Sequence, residues 1–566
     1  MTVVDAARAS LPASADIVIS GGGPSGLFLA LDLAHRGIES SVIEPRREID
    51  FDRPRAKTTN ARTMTHLRRL GLADSLRAAA PLSAEYAEDV VFCTGLDGHE
   101  LARFRNAFQV QRDRYEPQPE AGQQVSQPVV EAVLRAAVER SERAHLILGA
   151  QVTSVLPHAG YSQVLVDGLP ESTAIRARYI VGADGANSAV RRSLGIAYQG
   201  ASAARSNLNV LFRSAKLADA ISLGPALQYW VVSENVAGMV GRVDLQDTWW
   251  AIIQGISPER AAEEDAAELV RALVGVRSEA EVDIDVLATD PWTARMLLAD
   301  SYGQHGAFLI GDAAHLNPPW GGHGFNTCIG DAANLAWKLD AALAGWGGPG
   351  LLDSYESERR PVAARTIEEA AANGSALAYD FARAGLDGDS VEAVALRAEA
   401  TAALRVKQSE FDSLGLVLGY HYAESPLSAP DFEPIPPSHP IRYNATARAG
   451  ALLPHWYLRD GRSLYDLLDD RGFTLLLDED ALGSLPREAD PDRWPTAPGR
   501  VVRLGRDDGP RAGVTPAAAW GQPAVLVRPD QHVAWRGAEV EDARAALLRA
   551  TGWQTQSVSA GSESGR

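Results

Sequence analysis

The chain has 566 residues, 46% of them hydrophobic, enough to bury the cores of two or three domains. Its formal net charge of -19 argues against a nucleic-acid or anionic-membrane partner, because both demand basic patches. Cys93 and Cys328 are the only cysteines, so neither a disulfide framework nor a metal site is expected, and a reducing cytoplasm fits this usage.

No run of 18 apolar residues occurs, and the opening MTVVDAARASLPASA lacks the basic start and apolar core of a signal peptide. That tail and the closing SVSAGSESGR read as disordered. Residues 17–26, IVISGGGPSG, make a strand, a tight turn and a helix start. Gly21, Gly23 and Gly26 stand in the order G-x-G-x-x-G, which lets bare backbone meet a pyrophosphate at a helix N-terminus. Gly345, Gly347 and Gly350 repeat this spacing, but they follow a helical pattern and precede no strand-to-helix turn, so they read as a loop. Residues 39–43 form a second strand, and Glu44 at its end is placed to accept bonds from a ribose.

Residues 46–59 are rich in Arg and Pro and read as a loop beside the nucleotide, where Arg53, Arg55 and Lys57 are either solvated or in contact with phosphate. Asn60 caps a helix that ends at Gly71. Residues 89–94 and 100–104 bracket a hairpin turn, and 112–122 is a loop. Pro128 opens a helix with Val129, Val130, Val133, Leu134 and Ala137 on its apolar face. Strands follow at 146–148, 163–166 and 178–181, the last running into Gly182-Ala183-Asp184-Gly185 and a helix start at 189–192.

From 206 to 300 the pattern changes to strands at 209–213, 229–233, 239–243 and 249–254, with one amphipathic helix near 263–274. This stretch suits a pocket wall, with Asn209, Arg213, Tyr229 and Gln254 as candidate substrate contacts, and Trp230, Trp249 and Trp250 as either lining or core. A third glycine turn, Gly311-Asp312, leads through residues 317–326, NPPWGGHGFN, into a long helix. Residues 354–380 are helical, a polar helical connection reaches about 422, and 425–439 is a Pro-rich linker. Strands at 472–477, 524–527 and 532–535 and a helix at 541–551 complete a small α/β domain.

Three motifs in this order, GGGPSG (21–26), VGADGANSAVR (181–191) and GDAAHLNPPWGGHGFN (311–326), resemble the single-component flavoprotein aromatic hydroxylases, the family of para-hydroxybenzoate hydroxylase and phenol hydroxylase. The resemblance covers essentially the whole chain. It implies an α/β protein: a discontinuous Rossmann-like FAD-binding domain (14–88, 121–205 and 301–424), an inserted β-sheet substrate domain (89–120 and 206–300), a linker (425–448) and a thioredoxin-like C-terminal domain (449–557). The last contains no cysteine, so it cannot perform dithiol chemistry.

By position, the resemblance assigns Gly21, Gly23, Gly26 and Glu44 to the ADP half of FAD, Pro24, Ser25 and Arg46 to the cofactor site, and Arg55 and Gln127 to the pyrophosphate and ribityl regions. Asp184 and Gly185 match a motif serving FAD and nicotinamide, and Asp312 a ribityl contact. Gly324, Phe325 and Asn326 would turn helix-start amides toward the flavin pyrimidine. Pro318 and Pro319, which lack N–H donors, would border the reacting oxygen. His323 stands where the family commonly has Gln or Lys, and is either a protonatable group near the flavin or a structural histidine packed under it.

The implied activity is an FAD-dependent monooxygenase that uses NAD(P)H and O2 to hydroxylate a phenolic or polyketide-type aromatic substrate through a C4a-hydroperoxyflavin. Baeyer–Villiger insertion or epoxidation by the same fold is the alternative, and a non-catalytic FAD-binding redox sensor the reading from another class. A cytoplasmic monomer or homodimer is expected, with a small aromatic substrate and neither nucleic acid nor membrane as partner. No G-x-S-x-G elbow supports a hydrolase.

Overall fold

Ser14–Ser20 and Ser40–Glu44 pair in parallel at the centre of a nine-stranded sheet, and the continuous burial of residues 17–20 and 40–44 is that of strands covered on both faces. The computed structural model describes residues 3–8, 11–170, 173–276, 282–422, 424–431, 433–482 and 497–553, with the side chain of residue 204 excepted. The closing SVSAGSESGR lies outside these residues. The start of the chain is a correction to the expected disorder, since Val3–Asp5 pairs in parallel with Ala144–Leu148 at the sheet edge.

Thr173–Gly182 joins the centre on the other side, parallel to both Ser14–Ser20 and Ala307–Leu309, and antiparallel to Tyr161–Asp167. Three strand ends bearing glycine turns therefore lie side by side. The helix Gln127–Arg140 packs Pro128, Val130, Leu134, Ala137 and Val138, but Glu131 and Arg135 are buried with them while Val129 and Val133 are only half-buried. The apolar face is rotated from the expected one because Glu131 accepts bonds from Arg46 at 3.1 Å and Arg135 at 2.8 Å.

The second sheet has eight strands in the order His315–Leu316, Asp285–Ala299, Tyr198–Arg213, Thr248–Ile256, Gly238–Arg242, Gln228–Val231, Val90–Cys93 and Glu100–Phe104. Both of its faces are buried. Tyr229, Trp249 and Val270 belong to one core, and Trp230, Trp250 and Phe411 to the other. The helix expected near 263–274 is two, Pro258–Glu263 and Ala266–Val274, because Asp265 caps the second by accepting from Ala267 N–H. The helical stretch expected over 354–380 is Ser354–Asn373 followed by a short turn at Ala378–Phe381.

The chain divides into two compact units. The first comprises 1–333, 360–418 and 438–443, and the second 334–359, 419–437 and 444–566. In the second, a four-stranded sheet runs Gly499–Leu504, Phe473–Asp478, Ala524–Val527, Val533–Gly537, with the first pair parallel and the others antiparallel. Its polar centre is Glu358, fully buried, which accepts from Arg528 at 2.6 and 2.8 Å, Lys338 at 2.7 Å, Ser425 at 2.6 Å and Asn334 at 2.8 Å. Arg528 also bonds Asp530, so two cations and two carboxylates balance inside the unit. Gly345, Gly347 and Gly350 lie in a loop after the helix Gly324–Ala344. No helix among the described residues is long and apolar enough to cross a membrane.

Candidate active site

The turns at the ends of the parallel strands open into one cavity of about 1030 Å³ within the first unit. That is the top of the usual range for ligand pockets, roughly 300–1,000 Å³. Gly21 has φ 107° and its backbone runs so close to Ala183 that a Cβ would lie 2.3 Å from the carbonyl oxygen. A Cβ on Gly26 would meet Gly21 O at 2.1 Å, whereas one on Gly23 would meet nothing within 4 Å. Two glycines therefore shape the loop and the third leaves its backbone open to the cavity. The helix Pro24–His35 starts there without a side-chain cap, so its first N–H groups face whatever the cavity holds.

Glu44 is buried at the cavity wall, where Oε2 accepts Gly22 N–H at 2.7 Å and Oε1 accepts the Arg46 backbone and side chain at 2.9 and 2.8 Å. Asp184 Oδ2 accepts from Ser20 and from Ala189 and Val190 N–H, while its Oδ1 is buried without a partner among the described residues. Asp312 opens on the cavity but lies deep in the protein; that burial pushes its carboxyl pKa up, against the pull of His315 and Arg55.

Beside Asp312 lies a buried network that no sequence pattern isolated. His315 Nε2 lies 2.7 Å from Asp331 Oδ2 and its Nδ1 2.9 Å from Asn317 Oδ1, while Asp331 also accepts Gly311 N–H at 3.1 Å. Burial opposes a charged ring, but Asp331 outweighs it and the His315 pKa is raised. The motif GDAAHLN contained three of these residues, Gly311, His315 and Asn317; only the fold brings Asp331 to them.

Next comes the turn from Pro318 to Phe325. Pro318, Pro319, Gly324 and Phe325 line the cavity, as do Gln127, Arg55 and Gly185. His323 and Asn326 do not. His323 is packed against Gly321, its Nε2 has no partner among the described residues, and burial pushes its ring down to about 4, so it is neutral at physiological pH. Trp320 lines the cavity with its back against Gly374, where a Cβ would stand 2.4 Å from the indole.

The far wall is the second sheet. Asn209 and Gln254 line it with Asn207, Gln228, Trp230, Trp250 and Trp292. Tyr229 and Arg213 do not, because strand alternation turns Tyr229 into the opposite core, where it donates to Gly224 O, and Arg213 ends its strand in solvent near Asp247. Trp249 is core, while Trp230 and Trp250 border the cavity. Glu410 reaches the same wall; burial raises its pKa, opposed by an ion pair with Lys407.

An open helix N-terminus, an acid at a strand end, the unpartnered Asp184 Oδ1 and a long cavity fit an extended dinucleotide. Comparison with known proteins agrees. Residues 14–370 match the family model of the FAD binding domain, and residues 446–553 that of the aromatic-ring hydroxylase C-terminal domain. The FAD-dependent monooxygenase apdD of Emericella nidulans is 30% identical over 95% of this chain and 90% of its own length. The 2,4-dichlorophenol 6-monooxygenase of Delftia acidovorans is 30% identical over 94% of this chain and 97% of its own. The flavin-dependent monooxygenase PieE, solved in complex with FAD and substrate, superposes with a TM-score of 0.82 at 28% identity, covering 96% of this chain and all of that one. The chain belongs to the FAD-dependent aromatic-ring hydroxylase family of monooxygenases.

Proposed function

We propose that this monooxygenase places one atom of O2 on a phenolic or polyketide-type aromatic ring, with NAD(P)H as reductant. The observation that carries this is the single cavity linking the G-x-G-x-x-G loop, past Pro318–Phe325, to a wall of indoles and carboxamides. Bound FAD supplies hydride acceptance and oxygen activation. The protein's part is binding, orientation and exclusion of water. The open amides after Gly23 would hold the diphosphate, Glu44 with Arg46 the adenosine ribose, and Arg55, Gln127, Asp184, Gly185 and Asp312 the middle of the cofactor.

At the ring end, the first amides of the helix Gly324–Ala344, those of Gly324, Phe325 and Asn326, favour negative charge on the pyrimidine. Pro318 and Pro319 offer carbonyls and no backbone N–H to the oxygen being transferred. His323, neutral and packed, fills the turn rather than exchanging protons. Asn209 and Gln254 serve the substrate. The same reading keeps the domain limits given above, and the strand order of the second unit supports a thioredoxin-like fold for 449–557. It places the enzyme in the cytoplasm as a monomer or homodimer.

The test is to purify the protein, record its flavin spectrum and measure NAD(P)H consumption with a panel of phenols and hydroxylated polycyclic aromatics under labelled O2. Stimulated consumption and one labelled oxygen in a ring hydroxyl are expected. A labelled ester or lactone would instead show Baeyer–Villiger insertion, and consumption that no aromatic compound stimulates would favour a redox sensor.

A further inference from the structure

Three carboxamides on the cavity face of the second sheet have their oxygens fixed by groups that can only donate. Asn209 Oδ1 accepts the Trp292 indole N–H at 2.9 Å, Gln228 Oε1 the Trp230 indole N–H at 3.1 Å, and Gln254 Oε1 the Ala378 backbone N–H at 3.1 Å. An indole or peptide N–H has no lone pair to offer, so turning any of these amides over would set donor against donor. Their NH2 groups have no protein acceptor among the described residues, and all three residues line the cavity.

Lys57 adds a cation. Its carbonyl accepts Val125 N–H at 2.9 Å, and the following Thr58–Thr59 pairs with Gln123–Gln124, so the backbone is anchored. Nζ lies 4.4 Å from the centre of the Trp250 ring and donates to Arg55 O at 3.0 Å. An ammonium has three donors, and no carboxylate among the described residues pairs with this one. Two carboxylates that line the same cavity are engaged elsewhere: Asp290 lies 3.8 Å from Arg53, and Glu410 is paired with Lys407. Lys57 is half-buried, and this partial burial lowers its pKa to about 8, so near neutral pH a partly desolvated cation borders the cavity.

We propose that Lys57 and the amide nitrogens of Asn209, Gln228 and Gln254 bind the substrate as its oxyanion, and select an aromatic compound with an ionised phenol beside carbonyl oxygens over a simple neutral phenol. This rests on the hydroxylase reading above. A neutral phenolic O–H finds no acceptor among these four groups, while phenolate and carbonyl oxygens satisfy them. The phenolic proton leaves to solvent before binding. The ring then meets the reacting oxygen already enriched in electron density, and no base is needed beside it.

The FAD-loaded enzyme is titrated with two chromophoric probes, 4-nitrophenol and alizarin, a dihydroxyanthraquinone with one hydroxyl beside a quinone carbonyl, and the ionisation of each bound probe is followed by absorbance against pH. Alizarin is expected to ionise when bound at a pH lower by about one unit or more than when free, and to bind more tightly than nitrophenol. Lys57→Met removes that shift and weakens alizarin at least about tenfold, and Lys57→Arg retains it. Asn209→Asp, which still accepts the Trp292 indole, weakens alizarin as well, and retained flavin absorbance shows that each variant is folded. Alizarin bound in its neutral form, or ionised at the same pH in wild type and Lys57→Met, would overturn the proposal. So would an unchanged probe with a lowered flavin potential in Lys57→Met, which would assign the cation to the cofactor. Failure of the hydroxylase reading would look different: oxyanion binding intact, but no aromatic compound stimulating NAD(P)H consumption.

Discussion

The Asn326 carboxamide oxygen accepts the backbone N–H of Asn60 at 2.9 Å, across 266 residues of sequence, while its NH2 donates to Thr58 O at 3.1 Å and Gly322 O at 2.8 Å. One buried side chain thus ties the loop that carries Arg55 and Lys57 to the turn that carries Pro318 and Pro319. Replacement by Ala leaves a buried N–H and two carbonyls without this partner. A loss of about 2–4 kcal/mol in urea unfolding is expected, since each unsatisfied group costs roughly 1–3 kcal/mol and the site can relax. FAD affinity should fall at least about tenfold, corresponding to about 1.4 kcal/mol. Unchanged affinity in a destabilised variant would make the tie purely structural.

The glycines of the first turn separate folding from cofactor binding. Gly21→Ala and Gly26→Ala drive a Cβ into backbone oxygens at 2.3 and 2.1 Å and are expected to lose FAD together with stability, by about 2 kcal/mol or more. Gly23→Ala has room for its Cβ and an extended φ of -73°, so apo stability should stay within about 0.5 kcal/mol. Its methyl group occupies the space that the diphosphate needs. Thermal melts of apoprotein beside flavin titrations distinguish the three.

His315 should make stability depend on pH. Its folded pKa lies above the ordinary value of about 6.5, so the contribution is complete below that pH and lost as pH rises through the folded pKa. Comparison of wild type with His315→Gln from pH 6 upward should show the larger gap at the acid end, about 3 kcal/mol for a broken buried pair. A gap that does not change with pH would mean the ring is neutral in the folded protein.

Lys57→Met should stabilise the apoprotein while impairing ligand binding. The folded pKa near 8 lies below the unfolded value near 10.4, so between them the unfolded chain binds more protons and wild-type stability climbs with pH. At pH 7, below both values, the cost of partly burying the ammonium is present, offset in part by Arg55 O and the Trp250 ring. A rise in Tm of about 1–3 °C in the variant is expected, and a fall would show that the Trp250 and Arg55 contacts outweigh desolvation.

In the second unit, Glu358→Gln leaves Arg528 and Lys338 buried with one carboxylate between them. A loss of about 3–5 kcal/mol follows from such an imbalance. The Glu358 pKa is depressed, because Arg528 and Lys338 overcome its burial, so its contribution is present above about pH 4.3 and declines only in stronger acid. Acid unfolding of wild type and variant, followed by near-ultraviolet dichroism, should converge at low pH.

The three glycine turns and the acids beside them were legible in the sequence because strand, turn and helix start each leave a local pattern. The substrate wall was not. Period-two alternation shows that Tyr229 and Trp230 face opposite ways, yet both faces of that sheet are buried in apolar cores, so hydrophobicity alone cannot say which one meets the cavity. Asp285–Ala299 leaves no clear strand pattern in the sequence, since it includes Pro291 and only two of its residues are buried in the fold. The helix at Gln127–Arg140 misled for the opposite reason: a charged network around Glu131 occupies part of its buried face. Lys57 was visible only as one basic residue in a basic loop, and its distinction comes from Trp250, which lies in another sheet.

Trp320 borders the cavity on one side and rests on Gly374 on the other. Any side chain at 374 would push the indole forward, so the width of the cavity is set from behind, by a position that does not itself line it. Residues 320 and 374 act as a size adjustment: a smaller ring at 320 makes room, and added bulk at 374 takes it away. Substrate breadth can then drift or be engineered while Lys57 and the carboxamides of the sheet stay unchanged.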